Sequence, residues 1–261
     1  MFDRISATYD FLNRLLSFGT DILWRRKVAR FLPSHRGQHV LDLATGTADQ
    51  ILALLEQSNR VKTGVGMDLA EKMLEIGRRK IRKRRLSEVI SLMVGDATAI
   101  PVDDCQFDAV TISFGIRNIG DVKKGLGEMY RVLKPGGRLL ILEFSMPQNR
   151  FMRAVVLVYL RHLLPCLGAL VSRDAHAYRY LNETIETFPS GEAFCDLLRA
   201  ASFTGVVAHA VPLGLPMIYQ GDRPDSITSQ QNGCRRIPVL VRSRTGVEGG
   251  TTVFMMKTKM K

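Results

Sequence analysis

The sequence predicts an α/β fold: an open, doubly wound and mostly parallel seven-stranded sheet that ends in an antiparallel hairpin. Three observations predict it. Short apolar runs alternate with helix-periodic stretches between residues 38 and 144, the runs end in turn-forming residues, and two extended runs near the carboxyl end lie too close together for a crossover.

The first strand is Gln38 to Ala44 (QHVLDLA), an apolar run that gives way to a Thr-Gly-Thr turn and then a helix from Asp49 to Gln57. Val61 to Met67 is the second strand, Glu71 to Arg85 a helix and Val89 to Val94 the third strand. Phe107 to Phe114 follows as the fourth. A helix from Val122 to Leu133 stops before Pro135-Gly136-Gly137, and Arg138 to Phe144 is the fifth strand. Strands joined through helices of about three turns pair in parallel by right-handed crossovers.

After Phe144 the alternation breaks. Phe151 to Val171 is densely apolar but interrupted by Arg153, Arg161, His162 and Pro165. A bilayer-spanning helix needs about 20 predominantly apolar residues, and central charges are costly there. The stretch therefore reads as a helical insertion, about 146–190, which either packs on the sheet or covers an apolar substrate as a lid. Gly191 to Ala201 is a helix, and Phe203 to Ala210 and Leu213 to Tyr219 form the hairpin. Residues 1–221 make one domain. Residues 222–261 lose periodicity and read as a basic, poorly ordered tail.

A chain of 261 residues suffices for one substantial core, and 46% hydrophobic with 24% charged residues excludes the disordered and fibrous classes. Cys105, Cys166, Cys195 and Cys234 show neither a C-x-x-C pair nor metal-ligand spacing, which argues against a zinc site and a disulfide framework and suits a reducing cytosol. Met1 leads into FDRISATYD without a basic leader and apolar run, so a cytoplasmic protein is expected.

The net charge is +12, of which the tail supplies +5. Much of the rest lies in residues 78–85, seven bases in eight residues. Such a run is either the solvated face of a helix or a surface for polyanions. Without interleaved aromatics to stack on bases it points to anionic lipid headgroups, and no nucleic-acid partner is expected.

Chemistry concentrates at strand ends. The loop Asp42 to Asp49 (DLATGTAD) joins the first strand to the first helix, where Gly46 lets backbone N–H groups approach a ligand; a plain turn is the alternative. A pyrophosphate-binding loop would carry G-x-G-x-x-G, and only one of those glycines is present, which disfavours a nicotinamide oxidoreductase. A ligand without phosphate, such as S-adenosylmethionine, fits one close approach. Asp68, 22 residues after Gly46, stands where it accepts both hydroxyls of a ribose or caps the next helix. Asp96 is placed to accept an adenine amino group with Ala97 beneath the ring, or to form a turn.

The strings VLDLATGTAD, GMDLAEKML, VGDATAIPVDDCQFDAVTISFGIRNIGD and MYRVLKPGGRLLILEFSMP resemble the ubiquinone/menaquinone biosynthesis C-methyltransferases of the UbiE/MenG type, over about residues 1–221. Leu-Lys-Pro-Gly-Gly at 133–137 is common to many methyltransferases, whereas Phe-Gly-Ile-Arg-Asn at 114–118 is close to this family's own. The resemblance implies a class I, Rossmann-like methyltransferase in which Thr47, Asp68, Asp96, Ala97 and Ser113 bind S-adenosylmethionine. Thr45, Ala48 and Ser202 stand where the family usually has glycine, and the tail has no counterpart.

The implied acceptor is a prenylated quinol methylated on a ring carbon, which becomes nucleophilic when a neighbouring hydroxyl ionises. Arg117 and Asn118, just after the fourth strand, are the candidates for holding that phenolate, with a surface salt bridge as the alternative for Arg117. His176, Tyr178 and Tyr180 either line the aromatic head or pack structurally. The prenyl chain gives the 151–171 insertion and the 78–85 run a joint reading as a peripheral membrane surface. A different lipid acceptor and a non-catalytic binding module are the competing readings.

Overall fold

The computed structural model describes residues 14, 17, 19–147, 149–159, 161, 182, 184–211 and 215–225. Within them, helix α1 (Thr20–Val28) precedes β1 (Gln38–Leu43), α2 (Asp49–Gln57), β2 (Val61–Asp68), α3 (Glu71–Lys83) and β3 (Ile90–Val94). Then come β4 (Phe107–Ser113), a 3₁₀ turn (Ile116–Asn118), α4 (Val122–Val132), β5 (Leu133–Phe144), α5 (Arg150–Val158), α6 (Glu192–Ala200), β6 (Thr204–Ala210) and β7 (Pro216–Asp222).

The seven strands form one sheet in the order β3-β2-β1-β4-β5-β7-β6. The first five pair in parallel, and β7 runs antiparallel to both β5 and β6. The order reverses between β1 and β4, and a crevice opens at the carboxyl ends of the strands at such a point.

Alternation along the central strands loads both faces. Leu41, Leu43, Val110, Ile112, Leu139 and Ile141 face α4 and α6, packing on Leu126, Met129, Phe194 and Leu198. Val40, Ala109, Leu140, Leu142 and Ile218 face the other way, onto Trp24 and Val28 of α1. Strands buried on both faces read as nearly continuous apolar runs, which is why they are legible in the sequence.

Two boundaries differ from expectation. β5 starts at Leu133, not Arg138, because Gly136 at φ +73° carries the chain through the Pro-Gly-Gly turn while the ladder to β4 shifts register. The last strand extends to Asp222, and Arg223 donates to the carbonyls of Tyr130, Arg131 and Leu133, so the fold passes the expected domain boundary at 221. Cys195 is a buried free thiol. Residues 226–261 and most of the insertion, with His176, Tyr178 and Tyr180, lie outside the described residues.

Candidate active site

A cavity of about 440 Å³ opens at the carboxyl ends of β1 to β4, within the size range of small-molecule sites. Gly46, Asp68, Asp96, Ala97, Ser113 and Asn118 all line it. The topology thus brings together residues that span 73 positions of sequence.

The loop after β1 is the tightest part. Ala44 (φ +47°), Gly46 (φ +55°) and Ala48 (φ +69°) all adopt left-handed backbone. The N–H of Thr45 donates to the Met67 carbonyl at 3.1 Å and that of Gly46 to Asp68 Oδ2 at 2.8 Å, so the loop is tied to the tip of β2. Asp68 Oδ1 accepts the Ala70 N–H at 2.9 Å, just before α3. Asp68 thus lines the cavity and turns the chain ahead of α3, whose cap is Ala70 and not Asp68.

Asp42 sits under the loop. Its fully buried carboxyl accepts the hydroxyls of Thr45 and Thr111, each at 2.6 Å, and burial pushes its pKa up to about 6 against those bonds. Thr45, one of the positions where the resembling family has glycine, thus gains a specific partner here.

Thr47 is 2% exposed and is not on the cavity wall. Its hydroxyl accepts from Lys80 Nζ at 2.9 Å, and the same ammonium binds Asp49 at 2.6 Å. Burial pushes the Asp49 carboxyl up, but Lys80, Arg25 and Arg14 outweigh it and hold it below the ordinary carboxylate range. Thr47 therefore braces the loop from behind.

Asp96 is exposed on the opposite wall, where its Oδ1 accepts the Thr98 N–H at 2.8 Å; that bond holds its pKa down and keeps it an ionised acceptor. Leu69, directly after Asp68, presents an apolar side chain 68% exposed on the cavity wall. Ser113 donates to Gln50 Oε1 at 2.9 Å, and Gln50 donates in turn to the Arg25 carbonyl at 3.2 Å, which links β4 to α2 and α1.

Arg117 and Asn118 separate. Asn118 lines the cavity and Arg117 does not. The Arg117 guanidinium donates to Glu143 Oε1 at 2.6 Å and to the Phe114 carbonyl at 2.9 Å, and lies 5.5 Å from the centre of the Phe144 ring. The side chains of this pair are 8% and 1% exposed, so the surface salt bridge weighed for Arg117 is instead a buried one.

Sequence reasoning missed Asp42, Gln50 and Glu143. The signal for two of them was present: a carboxylate inside an apolar strand, in VLDLA and LLILEF, needs a partner once buried. Gln50, at the start of an ordinary amphipathic helix, carries no such signal.

Of the joint surface expected from the 78–85 run and the insertion, the described residues include α3 and α5. α3 begins at the cavity and runs about 20 Å back toward the amino ends of the strands, so its last bases lie at the opposite edge from the start of α5. Arg78 pairs with Glu71 and Arg84 with Glu56, which makes the run largely a solvated helix face.

The cradle fits an adenosyl ligand: a Cβ on Gly115 would come within 2.5 Å of the Ala44 Cβ, so the β1 and β4 loops meet closely and the cavity is bounded by carboxylates spaced across two further strands. Comparison with known proteins agrees. A demethylmenaquinone methyltransferase of Thermus thermophilus is 46% identical over 86% of this chain and all of its own length. A ubiquinone/menaquinone biosynthesis C-methyltransferase of Geobacter sulfurreducens is 42% identical over 85% of this chain and 87% of its own. Among solved structures, a Methanococcus maripaludis protein described as a candidate S-adenosyl-L-methionine-dependent methyltransferase superimposes with a TM-score of 0.62 at 18% identity, covering 86% of this chain and 95% of that one, a likeness of fold alone. Residues 1–222 match the model of the ubiE/COQ5 methyltransferase family, and the chain belongs to that family.

Proposed function

We propose that the protein transfers a methyl group from S-adenosylmethionine to a ring carbon of a prenylated quinol, demethylmenaquinol or a 2-methoxy-6-polyprenyl-1,4-benzoquinol, in menaquinone or ubiquinone biosynthesis. The observation that carries this reading is the cavity walled by Gly46, Asp68, Asp96 and Ser113, in a chain 42–46% identical to relatives named for these reactions.

When bound, the cofactor supplies an electrophilic methyl group on a sulfonium. Gly46 admits it close to backbone, with Thr47 and Lys80 bracing the loop. Asp68 presents its carboxylate to the ribose hydroxyls, Asp96 accepts from the adenine amino group beside Ala97, and Ser113 closes the floor through Gln50. On the acceptor side Asn118 donates its amide to the ring oxygen, which favours ionisation of the quinol. Arg117, locked against Glu143 and the Phe114 carbonyl, fixes the turn that aims Asn118.

The acceptor's prenyl chain places the encounter at a membrane surface, with peripheral contact from the cytoplasmic side. Among the described residues no helix is long and apolar enough to cross a membrane.

The test is to incubate the full chain with methyl-labelled S-adenosylmethionine and, separately, a demethylated naphthoquinol and a methoxy-polyprenyl-benzoquinol. Labelled product from either supports the reading and identifies the ring class. Tight cofactor binding without transfer to either acceptor refutes it in favour of another acceptor or a binding module.

A further inference from the structure

We propose that helix α5 is the surface by which the protein docks on an anionic lipid bilayer. This rests on the assignment of a prenylated acceptor, and it places the contact on α5 rather than on the basic run of α3.

α5 is a well-terminated helix with an inverted surface. Asn149 caps it, its side chain accepting the N–H groups of Phe151 and Met152 at 2.9 and 3.1 Å. Its inner side buries Val156 on Ile185, with Phe144, Met146, Tyr159 and Leu215 packed around them. The remaining apolar residues point outward: Phe151 is 75% exposed, Val158 60%, and Met152 and Val155 50% each.

Phe151, Val155 and Val158 recur at i, i+4 and i+7, which at about 100° per residue confines them to one narrow stripe, with Met152 on its flank. Half of the exposed large hydrophobic residues recorded among the described residues lie on this one helix. A contiguous exposed apolar stripe is a contact site, not a solvated face.

Charge selects the partner. Between residues 149 and 161 the sequence has three arginines, Arg150, Arg153 and Arg161, and no carboxylate. Glu186, the carboxylate packed nearby, is taken by Arg161 at 2.6 Å. Arg150 and Arg153 are exposed. An amphipathic helix with large apolar residues and arginines that reach past them matches an interface of acyl chains under anionic headgroups.

Position completes the argument. α5 follows β5 directly at the carboxyl edge of the sheet, the edge on which the cavity opens. A bilayer held there presents a membrane-dissolved acceptor to the site without requiring it to cross water.

The experiment is co-sedimentation of the full chain with phosphatidylcholine vesicles, with and without about one third phosphatidylglycerol. The wild-type chain is expected to sediment with the anionic vesicles and not with phosphatidylcholine alone. The double variant Phe151→Ser/Val155→Ser is expected to bind at least about tenfold more weakly, and Arg150→Gln about fivefold. Failure of the wild-type chain to sediment, or equal binding by the double variant, overturns the proposal. So does a dimer in analytical ultracentrifugation that the double variant loses, because a second copy then covers the stripe. Transfer to a short-chain, water-soluble quinol reads the proposed activity separately and is expected to be equal in both proteins, so the two readings fail independently.

Discussion

The backbone N–H of Gly46 donates to the carboxylate of Asp68 at 2.8 Å, a bond across 22 residues that fastens the loop after the first strand to the tip of the second. The residue proposed for the ribose thus also anchors the loop after the first strand.

Replacing Asp68 by alanine is therefore expected to remove a ligand contact and a loop anchor together. Hydrogen bonds to charged groups contribute about 1.5–3 kcal/mol, which corresponds to roughly a 10- to 150-fold loss of affinity. Calorimetric titration with S-adenosylmethionine measures it, and Asp68→Asn, which retains one acceptor oxygen for Gly46, is expected to fall between the two. Unaltered affinity in the alanine variant removes Asp68 from the site.

The Arg117–Glu143 pair predicts a split between stability and turnover. Arg117 Nε and Glu143 Oε2 are buried without hydrogen-bond partners, and the pair is held by its 2.6 Å contact together with the Phe114 carbonyl on Arg117 and the Phe144 N–H on Glu143 Oε1. Breaking a buried pair from one side costs about 3–5 kcal/mol, whereas replacing both partners by apolar residues costs far less. Glu143→Leu is expected to lower the denaturation midpoint sharply and Arg117→Met/Glu143→Leu to restore most of it. Arg117→Ala is expected to reduce kcat for methyl transfer much more than cofactor affinity, and equal losses in both contradict the assigned role.

Asp42 gives a pH dependence of defined sign. Burial raises its pKa to about 6, above the unfolded value of about 4, so the native state holds a proton that the unfolded chain releases. The stability this contributes is full below about pH 4 and is lost as pH rises through about 6. Asp42→Asn cannot ionise. The stability difference between variant and wild type, from urea unfolding at pH 4 and pH 7, is expected to shift in the variant's favour by about 2 kcal/mol on going to the higher pH. A difference that stays constant with pH shows that Asp42 does not titrate in this window.

Ser202 is exposed and holds φ +71° just after α6, where its N–H donates to the Arg199 carbonyl at 3.0 Å. A left-handed residue beyond a helix end favours glycine, and a side chain there costs about 1–2 kcal/mol. Allowing for the extra freedom glycine gains in the unfolded chain, Ser202→Gly is expected to stabilise the protein by about 0.5–1 kcal/mol in thermal or chemical denaturation. A destabilised variant would show that the serine side chain contributes more than its backbone strain.

The sequence by itself determined the strands, the helices between them and the edge of the sheet that carries the site, because these depend on apolar period, local turn chemistry and the handedness of crossovers. Gly46, Asp68 and Asp96 were legible as strand-end residues for that reason, and Ser113 only through the family resemblance. Only the tertiary structure decided which of them face the cavity and what each one holds. Thr47 turns to Lys80, 33 residues away, Ser113 to Gln50, 63 residues away, and Asp42 to Thr111, 69 residues away. Buried polar groups take partners by proximity in space, and proximity between distant segments is set by how the sheet packs its two faces, which no local pattern encodes.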